Sequence, residues 1–125
     1  RGAKRLIRLQ VSGAFHTSLM KPATPGMAEA LSQVSFNDSQ IPIIGNCSAL
    51  PLVSAAPIKA ELLDQLCGCV QWQRSVSYML DSGVNKFYEI GPGRTLTGLV
   101  KKASENAHLV NVNTLAAINE MAVSA

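Results

Sequence analysis

The chain of 125 residues predicts an α/β fold, and three observations lead there. Segments of strand composition alternate with segments whose apolar residues recur at helical spacing. Glycine and proline mark most of the changes between them. The chain is 47% apolar and 15% charged, enough apolar material for one core and far from a disordered composition.

Each element has its own signal. Ile7, Leu9 and Val11 alternate with Arg8 and Gln10, the period-two pattern of a half-buried strand, and Ser12-Gly13 breaks it into a loop. Thr24-Pro25 reads as a threonine N-cap with proline at the first helical position, and Met27, Leu31 and Val34 follow on one face. Ile41-Pro42-Ile43-Ile44 is apolar at consecutive positions, as expected of a strand covered on both faces, with the proline at its start or edge. Residues 48–57, rich in Pro, Ala and Ser, read as loop.

Ile58, Leu62 and Leu66 mark a second helix. Trp72, Val76, Met79 and Leu80 mark a third, closed by Gly83 as a C-cap. Lys86-Phe87-Tyr88-Glu89-Ile90 has strand composition and stops at Gly91-Pro92-Gly93. Leu96, Leu99, Val100 and Ala103 trace a fourth helix, and Leu109-Val110-Asn111-Val112 is a last short strand. Thr114 caps a final helix carrying Leu115, Ile118 and Met121. The expected sheet is largely parallel, flanked by helices, with about three or four strands, fewer than an average sheet. Such a sheet leaves an edge open. With a first residue other than Met, this leads to the expectation of a piece of a longer protein.

Charge and cysteine usage narrow the function classes. The net charge is +3, with Arg1, Lys4, Arg5 and Arg8 gathered at the start and Lys101-Lys102 as a separate pair. Nucleic-acid binding would need a broader basic stripe with interleaved aromatics. No apolar run approaches the ~18 residues of a membrane span, and no signal-like block follows the first charges. Cys47, Cys67 and Cys69 are odd in number and lack framework spacing, which fits reduced thiols in a cytosol-like compartment. Cys67-Gly68-Cys69 with His16 and His108 offers one Cys-x-Cys where zinc sites usually have paired Cys-x2-Cys elements or a comparable set, so no metal is expected. Gly91-Pro92-Gly93-Arg94-Thr95 matches neither phosphate-loop nor dinucleotide patterns and reads as a structural turn with Thr95 as helix cap.

His16 lies in the loop after the first expected strand, where α/β enzymes place catalytic groups. A lone histidine there is more often a capping or packing residue.

Three ordered stretches change that balance. The run Val11-Ser12-Gly13-Ala14-Phe15-His16-Thr17-Ser18-Leu19-Met20-Lys21-Pro22 resembles the histidine motif of malonyl-CoA:acyl-carrier-protein transacylases and of the related acyltransferase domains of fatty-acid and polyketide synthases. Pro42-Ile43-Ile44-Gly45-Asn46 resembles that family's strand-to-asparagine element. Val70-Gln71-Trp72 with Ser75-Val76, and then Tyr88-Glu89-Ile90-Gly91-Pro92-Gly93-Arg94-Thr95-Leu96-Thr97-Gly98-Leu99, complete the series in the family's order.

The resemblance implies an α/β-hydrolase-like acyltransferase core with an inserted ferredoxin-like subdomain. Residues 1–11 would end the small subdomain, and 12–125 would form the C-terminal portion of the large one. It implies a ping-pong transfer of malonyl from malonyl-CoA, through a serine, to the phosphopantetheine thiol of acyl carrier protein in fatty acid biosynthesis. No cofactor is implied beyond those substrates, no nucleic acid or membrane takes part, and the location implied is cytoplasmic. By resemblance His16 is the base that activates the serine, and the backbone carbonyl of Gln65 orients it. Phe15 borders the acyl pocket and restricts an α-branch. Asn46 is either a neighbour of the substrate site or simply a residue that tolerates the turn after a strand. No Gly-x-Ser-x-Gly elbow occurs in the chain, so it is expected to hold the base without the nucleophile and to be inactive without the N-terminal part of the enzyme. Two other readings stay open. One is a piece of a multidomain polyketide or fatty-acid synthase, and the other a non-catalytic split or degenerate binding module.

Overall fold

The three-dimensional structure is a computed structural model that describes Gly2 and residues 13–123. The strand expected at Ile7, Leu9 and Val11, and with it the assignment of residues 1–11 to a small subdomain, lies outside the described residues apart from Gly2. The chain divides into two compact units, residues 1–70 and 71–125.

In the first unit a 3-10 helix, Ser18–Ala23, runs directly into α1, Thr24–Ser32. The expected Thr24 cap is therefore corrected. The cap position is Ala23, which makes no side-chain cap bond. The Thr24 N–H donates to Lys21 O of the preceding 3-10 turn, which satisfies that donor within the chain's own backbone. Thr24 Oγ1 lies instead 3.8 Å from Cys67 Sγ.

The apolar run at 41–44 yields only a two-residue strand, β1, Ile43–Ile44. It pairs antiparallel with β2, Pro51–Leu52, inside the stretch read as loop. Coverage on both faces does not hold, since Ile41 is 77% and Ile43 47% exposed. Apolar composition signals burial only where a partner covers the face, and Pro42 cannot donate to a ladder. Next comes α2, Ala55–Cys67, which carries Ile58, Leu62 and Leu66 as expected and packs against α1 and the 3-10 helix. Among the described residues of this unit, Leu31 and Ala49 are the buried apolar ones.

The second unit is a βαβ element with helices before and after it. Helix α3, Trp72–Asp81, ends in a left-handed glycine, Gly83 at φ 88°. The Gly83 N–H donates to Leu80 O at 2.9 Å and the Val84 N–H to Met79 O at 2.9 Å, so two orphan carbonyls are satisfied together. β3, Lys86–Ile90, pairs in parallel with β4, His108–Val112, across the crossover helix α4, Thr95–Ala103. Val76 of α3, Val100 of α4 and Val112 of β4 are buried at 1%, 4% and 7% exposure and form this unit's core. α5, Leu115–Val123, starts as expected, with Thr114 Oγ1 accepting the Ala117 N–H at 3.2 Å.

The described residues thus form two two-stranded sheets, one antiparallel and one parallel, among five α-helices. The expected cap of α4 needs correction. Arg94 holds the cap position without a side-chain bond, and Thr95 is already helical. The capping acceptor is the Glu89 carboxylate of β3, which takes the Leu96 N–H at 3.0 Å and the Thr97 N–H at 2.7 Å.

Candidate active site

The site begins at a helix end. An α-helix leaves its last four carbonyls without intrahelical partners, and they carry the negative end of its dipole. In α2 the first of these, Asp64 O, takes the Gly68 N–H at 2.8 Å. Gly68 is glycine for a reason of space: a Cβ there would lie 2.8 Å from Asp64 O and 2.5 Å from Cys47 Sγ. The next two carbonyls both go to His16. Its N–H donates to Leu66 O at 3.1 Å, and its ring Nδ1 lies 2.6 Å from Gln65 O. A carbonyl oxygen only accepts, so Nδ1 carries the hydrogen, and in the neutral ring Nε2 is left as the acceptor.

To make both bonds His16 adopts the left-handed conformation, φ 60°. Histidine is among the non-glycine residues enriched there, although the region is sparsely populated. Thr17 braces the turn from both sides, its hydroxyl donating to Ala14 O at 2.7 Å and accepting the Leu19 N–H at 3.3 Å. Phe15 is 59% exposed, with its ring over Gly13, where a Cβ would meet Cε2 at 2.8 Å.

Asn46 reaches the same helix end by another route. It sits in a turn closed by Gly45 N–H to Leu50 O and Ala49 N–H to Gly45 O, both at 3.0 Å, with Ala49 at φ 55°. Two α2 side chains grip this turn. Glu61 Oε1 accepts the Cys47 N–H at 2.5 Å, and Gln65 Oε1 accepts Asn46 Nδ2 at 2.6 Å. Glu61 and Gln65 are four apart on one helix face, which lets both reach the turn. Gly45 is buried because the Glu61 carboxylate lies over it, 2.7 Å from where a Cβ would be. Burial, followed by the negative charges of Glu61 and Asp64, pushes the Cys47 thiol pKa up, which keeps it protonated and a poor nucleophile.

Of the residues singled out from the sequence, His16, Gln65 and Asn46 therefore meet in one hydrogen-bonded chain. Phe15 stands outside that chain. Sequence reasoning missed the Leu66 carbonyl, the Thr17 brace and Glu61. Only Glu61 had a signal, its spacing of four from Gln65.

The turn 91–95 does something different. Gly91 and Gly93 have φ of 135° and 96°, and the chain then enters α4. The amides an anion would use are filled by Glu89, which also accepts from the Thr97 hydroxyl and, at 3.1 Å, from Asn111 Nδ2. Those bonds, with Thr97 first, hold its carboxyl down at about 2. Among the described residues no group of three or more His, Cys, Asp or Glu could hold a metal ion. Nor is any helix among them long and apolar enough to cross a membrane.

Comparison with known proteins follows the same lines. No family model matches the chain. It is 42% identical over 112 residues to the malonyl CoA-acyl carrier protein transacylase of Bacillus subtilis, covering 90% of this chain and 35% of that protein. The solved structure of MCAT from Streptococcus pneumoniae superposes with a TM-score of 0.89 at 42% identity, over 99% of this chain and 40% of that one. A type II PKS acyl-carrier protein in complex with its malonyl-transacylase gives 0.88 at 35% identity, over 99% and 40% of the respective chains. The chain thus spans roughly a third to two-fifths of the length of these relatives, with the 35% and 40% just given as the bounds. Over that portion, in sequence and in fold, the chain is similar to the malonyl CoA-acyl carrier protein transacylases.

Proposed function

We propose that the protein carrying this sequence transfers malonyl from malonyl-CoA to the phosphopantetheine thiol of acyl carrier protein, with His16 as the general base. The observation that supports this most is the histidine clamped to the carbonyl end of α2, with Nδ1 committed to Gln65 O. Relatives named as malonyl CoA-acyl carrier protein transacylases supply the reaction class.

In this reading Nε2 accepts the proton of a serine hydroxyl as that oxygen attacks the malonyl thioester carbonyl. A neutral serine is a poor nucleophile, so the base must act as the bond forms. Collapse of the tetrahedral intermediate expels the coenzyme A thiolate, which takes the proton from Nε2. The second half repeats these steps with the carrier protein's thiol as nucleophile and the serine as leaving group. The imidazolium formed in each half sits against carbonyls carrying the partial negative charge of a helix C-terminus, in place of a carboxylate partner.

No Gly-x-Ser-x-Gly sequence occurs in the 125 residues, so the nucleophile of this reading comes from outside them. Residues 12–125 are assigned to the large, α/β-hydrolase-like subdomain, with the parallel β3–β4 pair as part of its central sheet. Phe15 borders the acyl pocket. One methyl in an apolar pocket is worth about 1–3 kcal/mol, which bounds what Phe15 alone contributes to malonyl preference. The reaction needs no cofactor beyond its two substrates and is placed in the cytoplasm.

The test is acyl-enzyme formation, followed by mass spectrometry of the full-length protein with malonyl-CoA. His16→Ala is expected to slow serine malonylation by about two orders of magnitude or more. Malonylation at the wild-type rate would remove His16 from the role of base. The 125-residue chain by itself is expected to acquire no covalent malonyl group. A stoichiometric adduct would show that the nucleophile had been misplaced.

A further inference from the structure

We infer that Asn46 is a positioning residue for His16, acting through the side chain of Gln65 rather than through the substrate. The inference rests on the reading of His16 as base.

The last turn of a helix is its least constrained part, because its carbonyls lack partners within the helix. His16 takes its orientation from two carbonyls of that turn, Gln65 O at 2.6 Å and Leu66 O at 3.1 Å. Any fraying there moves the imidazole. Gln65 is the residue whose own side chain opposes the fraying, because Asn46 Nδ2 donates to its Oε1 at 2.6 Å. Asn46 is itself fixed, since the flanking Gly45 and Cys47 amides are held by Leu50 O and by Glu61 Oε1. The chain of constraint runs from a pinned turn through Asn46 and Gln65 to the ring of His16. The bond is half-buried, and its donor and acceptor are both neutral, so its strength survives changes of pH and salt. A merely turn-tolerant residue would have no need of the amide, whereas here one amide hydrogen goes to Gln65 Oε1.

Three variants of the full-length protein test this: Asn46→Ala, Asn46→Asp and Gln65→Met. Asn46→Ala should lower kcat about tenfold with KM for malonyl-CoA unchanged, since a misplaced base costs turnover rather than binding. Gln65→Met, which keeps length and loses the acceptor, should reproduce the loss. In Asn46→Asp the Gln65 amide can rotate and donate Nε2–H to the carboxylate, and most of the rate should return. Nitrogen NMR of the His16 ring gives a readout independent of turnover. Wild type should show the Nδ1–H tautomer, and Asn46→Ala and Gln65→Met a mixture with Nε2–H. Wild-type kcat and a pure Nδ1–H tautomer in both Asn46→Ala and Gln65→Met would overturn the inference, whatever happens to the melting temperature. If Asn46→Ala does not fold, the Gln65→Met and Asn46→Asp pair makes the same comparison. His16→Ala separates the two claims. An active His16→Ala enzyme removes the base assignment, whereas an inactive one beside wild-type-like Asn46→Ala and Gln65→Met removes only the positioning role.

Discussion

The carbonyl end of α2 and the amide end of α4 are both closed by groups from outside the helix, and they are closed in opposite senses. At α2 the histidine comes from a loop 49 positions earlier and donates, through its N–H and ring Nδ1, to two orphan carbonyls. At α4 the carboxylate of Glu89 comes from the neighbouring strand and accepts from Leu96, Thr97 and Asn111. The difference lies in what capacity is left. An imidazole has two nitrogens, and capping uses one of them, so the orienting bond leaves a second atom for chemistry. Glu89 commits both oxygens, Oε1 to Leu96 and Oε2 to Thr97 and Asn111, so it acts as a structural anchor. The same need, orphan backbone groups at a helix terminus, is met in one unit by a candidate base and in the other by a staple.

Breaking the α2 end should have the larger effect. His16→Ala is expected to remove about two orders of magnitude or more of acyl-enzyme formation in the full-length protein. The same replacement should leave the Glu89 cluster intact, as seen in the Asn111 side-chain amide resonances. Gly68→Ala attacks the α2 end without touching the histidine. Its Cβ would meet the Asp64 carbonyl at 2.8 Å, and the backbone cannot swing away as a side chain could. A cost of about 1–3 kcal/mol in chemical unfolding is expected, together with a slower malonylation step. Full activity in this variant would show that the helix end tolerates displacement.

The α4 end sharpens the comparison through pH. The Glu89 carboxyl is held down at about 2 in the folded chain against an ordinary 4.5, so the folded state favours its ionised form. Its contribution to stability is therefore full above about pH 4.5 and is lost as pH falls through about 2. Glu89→Gln should melt at a lower temperature than wild type at neutral pH, with the gap closing over that acid range. A gap that stays constant with pH would mean that the Glu89 charge adds nothing to the anchor.

Much of the architecture was legible in the sequence because it rests on local repetition. Ile58, Leu62 and Leu66 marked α2, and Trp72, Val76 and Met79 marked α3. Gly83 closed α3 as a left-handed C-cap, for a reason confined to a few neighbouring residues. Thr114 likewise caps α5 across three residues. The failures fall where the partner is remote. Thr24 and Thr95 have the composition of caps, but a 3-10 turn and a strand carboxylate already serve those ends. The run at 41–44 is as apolar as a buried strand and leaves Ile41 exposed, because apolar character says nothing about what lies opposite.

The candidate site divides along the same line. The sequence by itself determined which residues are candidates for chemistry. The ordered motifs around Phe15-His16, Asn46 and Gly91-Pro92-Gly93 singled out His16 and implied a backbone acceptor at Gln65. Only the tertiary structure decided how they act on one another. It gave His16 a left-handed backbone and two helix-end carbonyls, turned Asn46 toward the Gln65 side chain, and filled the α4 amides with Glu89. The physical reason is that residue type and spacing encode propensities over one or two turns of chain. The satisfaction of orphan backbone groups at helix ends is a contact between segments tens of residues apart.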